Sequence, residues 1–210
     1  MLTCKIDLQS FDRSCGSCRF CSPQSKGKYE FEGDLSDSYA LVNELSDLIN
    51  SETPYHCLDP EEYKNADIRV VNDQNMLVCR VEAKMLNDKP FMKVRSFLSG
   101  HDLFPKETIV VDLPKLNHYI DRAHQERGIP TFIVWYLGRC CPDVGGITVF
   151  QDVSVLEQIK IQKGDGRFFE RKSGTGDFVN GKKMGITGKY HFSIRECRPI
   201  EELIGEILHL

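Results

Sequence analysis

Seven consecutive residues, Thr131-Phe-Ile-Val-Trp-Tyr-Leu137, are aliphatic, aromatic or β-branched, with no charge among them. A strand with one wet face alternates; a run without alternation is expected of a strand covered on both faces. Such a strand requires layers above and below the sheet that contains it. One candidate layer comes immediately before it. Pro114 opens a helical pattern over 115–127, with Leu116, Ile120 and Ala123 on the inward side and Gly128 as the C-terminal stop. Helix followed by buried strand points to an α/β protein. At 210 residues the chain fits one domain with decoration, or one domain plus a small module.

A second stretch carries chemistry. Asp67–Lys84 reads as two short strands around a tight turn, with Val70 and Val71 in the first, 72–75 in the turn and 76–85 in the second. Alternation puts Val78, Arg80, Glu82 and Lys84 on one face and Leu77, Cys79, Val81 and Ala83 on the other. Glu82 and Lys84 are therefore neighbours, and strand pairing can bring Asp67 beside them. Two carboxylates near one lysine suit a divalent cation. Carboxylate oxygens hold a hard ion, and the ammonium orients a water or offsets charge on a phosphate. The plainer alternative is an exposed hairpin with an ordinary Glu–Lys pair.

Asp67, fourteen intervening residues and then Glu82-Ala83-Lys84 resembles the D…ExK signature of the PD-(D/E)xK nuclease superfamily. Ala66 stands where that family often has proline. The helix and the buried strand follow in the family's order, and the resemblance spans roughly residues 36–150. It implies a restriction-endonuclease-like α/β core: a central mixed β-sheet flanked by helices. It implies a Mg²⁺-dependent (or Mn²⁺-dependent) nuclease hydrolysing phosphodiester bonds, first of all a DNA endonuclease, with RNA open to the same chemistry. Asp67, Glu82 and the backbone carbonyl of Ala83 would hold one or two metal ions. Lys84 would position or deprotonate the attacking water. Accessory candidates are Glu44 on the preceding helix and Lys115, His118 and Tyr119 on the following one. The alternative function is a non-catalytic, zinc-containing nucleic-acid-binding or protein-interaction module on the same scaffold.

The cysteines point to a further piece. Cys15, Cys18 and Cys21 form two overlapping CxxC units, three thiols within seven residues, in a chain with nine cysteines. Such knuckles wrap backbone N–H groups around metal-bound sulfur, and thiolates suit zinc or an iron–sulfur cluster. Zinc is favoured, as a structural brace, with Cys4 as fourth ligand and His56 or Cys57 as outside candidates. Free structural thiols are the alternative. Residues 1–33 are accordingly expected as a Cys-rich zinc-binding segment, and 34–210 as the nuclease-like domain.

The remaining pattern fills in elements and contacts. Leu41, Leu45, Leu48 and Ile49 make a helix stripe over 36–49. His56, in a turn-rich stretch, is a candidate for metal or nucleic-acid contact, or for plain packing. Residues 91–97 alternate and are expected as a strand with Lys93 and Arg95 on its polar face, within reach of phosphates. Further strands are expected over 108–111, 146–153 and 189–194, and a short amphipathic helix over 199–208. Net charge is −4, yet 160–189 carries eight Lys/Arg against three Asp/Glu, a local +5. That region is glycine-rich, with Arg171, Lys172, Lys182 and Lys183 interleaved with Phe168, Phe169 and Phe178. It is expected as loops and hairpins that track a phosphate backbone, or as a polar insertion. The expected partner is nucleic acid, first DNA. No apolar run approaches the roughly 18 residues of a membrane span, and the N-terminus lacks the apolar core of a secretory signal. A cytoplasmic location without membrane association is expected, and a homodimer is compatible with the sequence.

Overall fold

The computed structural model describes residues 2–14, 31–61, 65–87, 91–126, 128–139, 141–170, 177–179, 182–185 and 188–210; within 31–37, 177–179 and 182–185 it describes the backbone. Helix α1 (Phe31–Glu52) leads into strand β1 (His56–Leu58), followed by β2 (Ile68–Val71) and β3 (Leu77–Met85). A short helix α2 (Val94–Phe97), strand β4 (Thr108–Asp112), helix α3 (Leu113–Gln125) and strand β5 (Thr131–Leu137) come next. Then follow β6 (Ile147–Asp152), α4 (Val153–Lys163), β7 (Phe168–Phe169), β8 (Asp177–Val179), β9 (Lys182–Gly185), β10 (Lys189–Ser193), β11 (Arg198–Pro199) and α5 (Leu203–Leu208).

The six-stranded central sheet has the order β1-β2-β3-β5-β6-β11. β3 and β5 are parallel, and the other neighbours are antiparallel. The sheet is therefore mixed, and β3 and β5 are interior strands. Alternation along them divides the core in two. Val81, Ala83, Phe132, Val134 and Phe150 pack with Leu41, Leu45 and Ile49 of α1 and Leu203 and Ile207 of α5. On the other face Ile133, Trp135, Leu137 and Val149 pack with Leu116, Tyr119 and Ile120 of α3 and Leu156 of α4. Both faces of β5 are covered, as its unbroken apolar run requires. Gly128, at φ +89°, makes the turn from α3 into β5, a conformation that other residues adopt only under strain.

A second sheet, β4-β10-β7, closes the α3 side. Ile109, Val111, Tyr190 and Phe192 face the main core, and the Trp135 indole N–H donates to the Val110 carbonyl at 3.1 Å, so the buried ring ties the two sheets together. The outer face of this sheet is covered by a satellite cluster of Val94, Leu98 and Leu103, with Phe91 and Phe169 against it. Residues 2–14 lie on the body: the Thr148 N–H donates to the Thr3 carbonyl, Leu8 is buried in the main core, and Arg13 pairs with Glu107.

Three expectations are corrected here. Residues 91–97 form a turn and α2, because Val94, Leu98 and Leu103 need one inward side and a strand would have separated them. Lys93 and Arg95 thus share no strand face; Arg95 instead lies over the Phe104 ring at 4.7 Å. Residues 153–163 are α4, where 153 was expected to end a strand, 160–163 to belong to the loops and hairpins, and 154–159 had no assignment; Asp152 caps it by accepting from the Ser154 N–H at 2.6 Å. α1 starts at Phe31, ahead of the expected 36.

Candidate active site

The site grows from where β2 stops. The last β2–β3 pair is Ile68 with Val81, which puts Asp67 opposite Glu82. On β3 the Arg80 N–H donates toward β5, to the Pro130 carbonyl, so odd-numbered residues direct their backbone groups toward β2. Beyond Val81 no strand among the described residues pairs that side. The Ala83 N–H would be bare, and the Asp67 carboxylate caps it, Oδ2 accepting at 2.8 Å. The Ala83 carbonyl, directed to the same side, also has no strand partner among the described residues. Oδ1 of Asp67 accepts no hydrogen bond among the described residues.

Glu82 lies on the α3 face and is 1% exposed. Its Oε1 accepts from Lys84 Nζ at 2.7 Å and from Lys115 Nζ at 3.0 Å, and its Oε2 accepts from the Tyr119 hydroxyl at 2.6 Å. Lys115 and Tyr119 are one helical turn apart on α3, so one face of that helix delivers both. Burial acts to raise the Glu82 pKa, but the two ammonium groups outweigh it and hold it at about 2. Asp67 goes the other way. Burial, then the negative charge of Glu82, push it up to about 6, against the Ala83 N–H and the more distant lysines. Burial and the Glu82 charge likewise raise the Tyr119 phenol, which stays a donor. Neighbouring carboxylates driven apart in pKa are a recurrent mark of functional sites.

The oxygens gathered here are of the kind a hard cation takes. Among the described residues no group of three or more His, Cys, Asp or Glu converges. Two carboxylates and one carbonyl are what this end of the sheet offers, a number that suits an ion retaining much of its water, as Mg²⁺ does.

The other candidates are placed as follows. Glu44 is exposed on α1, across the sheet from Glu82, so it does not join the cluster. His56 is exposed on edge strand β1, opposite Val71 at the far end of β2 from Asp67, and lies 3.3 Å from Asp73. His118 packs its ring 5.8 Å from that of Tyr119. Lys182 and Lys183 lie on β9 of the β8–β9 hairpin. Arg171, Lys172, Cys15, Cys18 and Cys21 lie outside the described residues. Cys4 is half-buried against the main core with its thiol on the Ile6 carbonyl, and burial raises its pKa. The capping of Ala83 by Asp67 and the double lysine contact on Glu82 were not foreseen; the Lys115–Tyr119 spacing was the available signal.

No family model matches the chain, and no curated protein does. A solved structure does. It is Hjc, a Holliday junction resolvase from the archaeal hyperthermophile Archaeoglobus fulgidus, at 10% identity over 80% of this chain and 96% of that one, with a TM-score of 0.42.

Proposed function

We propose that this chain is a divalent-metal-dependent nuclease that hydrolyses phosphodiester bonds, with DNA as its first substrate and Asp67, Glu82 and Lys84 as its catalytic group. The observation that carries the reading is the placing of Asp67 opposite Glu82 at the end of the β2–β3 pairing, with two lysines around them and the Ala83 carbonyl beyond the last strand pair among the described residues. Asp67, Glu82 and the Ala83 carbonyl would hold Mg²⁺ or Mn²⁺, which supplies Lewis-acid stabilisation of charge on the phosphate. Lys84 positions the attacking water. Attack at phosphorus breaks one P–O ester bond, and the water's protons pass to solvent or the departing oxygen. Lys115, in the first turn of α3, offsets phosphate charge together with the helix N-terminus. Tyr119 fixes the orientation of Glu82.

The test is cleavage of double-stranded DNA, single-stranded DNA and RNA side by side, with Mg²⁺, with Mn²⁺ and with EDTA. Metal-dependent product supports the reading; none on any substrate sinks it. A second reading, a non-catalytic binding module, is favoured by one feature: both oxygens of Glu82 already accept from Lys84, Lys115 and Tyr119. Binding without cleavage would select it.

The cysteine-rich segment is proposed to carry one structural zinc on Cys15, Cys18 and Cys21, with Cys4 as the fourth ligand. Elemental analysis is expected to give about one zinc per chain, lost in Cys18→Ser. Protein purified without oxygen that holds neither zinc nor iron would refute this.

A further inference from the structure

The outer face of the second sheet carries a patch that the catalytic group does not use. The Phe91 ring lies 6.0 Å from that of Phe97 and 5.7 Å from that of Phe169, and Phe97 lies 5.0 Å from Phe169. Part of this cluster is ordinary packing over Val94, Leu98 and Leu103. Packing does not account for its outer edge. Phe97 is 49% exposed, on a helix of four residues whose other outward residues are polar, and Met92, two residues before that helix, is 41% exposed.

Strand register and chain order link the patch to the candidate active site. Phe169 pairs with Lys189, and Lys189 pairs in turn with Asp112, so the three share one face of the sheet across two strand spacings, about 10 Å. Asp112 precedes α3, whose first turn brings Lys115 to Glu82. The Leu113 N–H donates to the Gly188 carbonyl at 2.9 Å, which fastens the start of α3 to the residue before Lys189. Lys189, 3.7 Å from Asp112, thus stands between partly buried Phe169 and the start of α3, with exposed Lys93 and Arg95 flanking the aromatic end.

We infer that Phe97, Phe91 and Phe169 form a stacking platform for unpaired bases of a single-stranded nucleic acid, whose backbone runs along Lys189 toward Lys115. The inference rests on the nuclease reading for its direction, and it names the substrate class as one with unstacked bases. The chemistry matches. Phenylalanine has no polar tip to read a base edge, so it stacks on any base, and neighbouring lysines and arginines meet phosphates. A duplex keeps its bases stacked on each other and offers no free face to such a platform.

The test is equilibrium binding by the full chain in EDTA, where no cleavage occurs. The probes are single-stranded DNA and single-stranded RNA of one sequence, each with 2-aminopurine, and the matching DNA duplex. Single strands are expected to show quenched 2-aminopurine emission on binding. Phe97→Ala is expected to weaken single-strand binding on the order of tenfold and to abolish the quenching. Phe97→Trp is expected to retain both, and Phe97→Leu to fail as Phe97→Ala does. Comparison of the DNA and RNA strands identifies which sugar is accepted. An unchanged urea midpoint for Phe97→Leu keeps the comparison one of binding. Wild-type affinity in Phe97→Leu, or equal losses on duplex and single strand, would overturn the platform. Phe97-dependent quenching without metal-dependent cleavage would keep the platform and remove the nuclease reading; cleavage with Phe97-independent binding would do the reverse.

Discussion

Asp67→Asn is expected to lose metal-dependent cleavage and, in EDTA at pH 7.5, to unfold at a higher temperature than the wild type. The two effects have one cause. Asn is isosteric and its Oδ1 can still accept from the Ala83 N–H, so the cap at the end of β3 survives. What disappears is a second negative charge beside Glu82, which together with burial pushes the Asp67 pKa up to about 6. An unfolded aspartate titrates near 4. A carboxyl raised on folding contributes stability that is present below pH 4 and lost as pH climbs through about 6. Wild-type stability should therefore fall across that window by on the order of 3 kcal/mol from this group alone, a contribution that Asp67→Asn lacks. Added Mg²⁺ is expected to reverse the ranking, since an ion that binds only the folded state stabilises the protein that holds it. Lys84→Ala separates the roles. It leaves both carboxylates in place, so metal-induced stabilisation should persist while turnover falls on the order of 10²- to 10⁴-fold. A folded Lys84→Ala protein that cleaves at the wild-type rate would reduce the pair to a surface contact.

Much of this centre was legible because it depends on short-range rules. The period of two along 77–85 places Glu82 and Lys84 on one face whatever surrounds them, and the 72–75 turn sets the pairing that brings Asp67 opposite Glu82. The unbroken apolar run of β5 announced a strand covered on both sides, and α1 and α3 supply the covers. Legibility ended where tertiary contact overrides local pattern. Residues 91–97 alternate like a strand, yet α2 forms because Phe91 and Val94 must reach Leu98, Leu103 and Phe169 together. α4 was hidden by the basic, glycine-rich stretch that follows it, although Asp152 as cap and Val153, Leu156 and Ile159 at three-residue spacing were in view. Glu44 illustrates a third limit. A helix stripe says which side is inward, but not which face of the sheet the helix covers, and α1 took the face opposite Glu82.

The second large effect is on stability, at a carboxylate outside the candidate site. Glu107 is wholly buried at the start of β4 and accepts four hydrogen bonds. The Arg13 guanidinium donates to both its oxygens, the Phe104 N–H to Oε1 at 2.8 Å, and the Ser193 hydroxyl to Oε2 at 2.8 Å. These donors come from the N-terminal stretch, the loop before β4, and the end of β10, so one side chain fastens three segments. Glu107→Ala leaves an arginine, a hydroxyl and an amide facing a hole. Removing one partner of a buried ion pair costs about 3–5 kcal/mol, which for a domain of this size lowers the melting temperature by on the order of 10 °C. Arg13→Ala should cost a comparable amount, because it leaves the wholly buried Glu107 carboxylate with only the Phe104 N–H and the Ser193 hydroxyl. Urea titrations of the two single variants and the double variant give the coupling directly, and a double variant close to Glu107→Ala alone is the expected result. If Glu107→Ala keeps the wild-type midpoint, the cluster does not hold the N-terminal stretch to the second sheet.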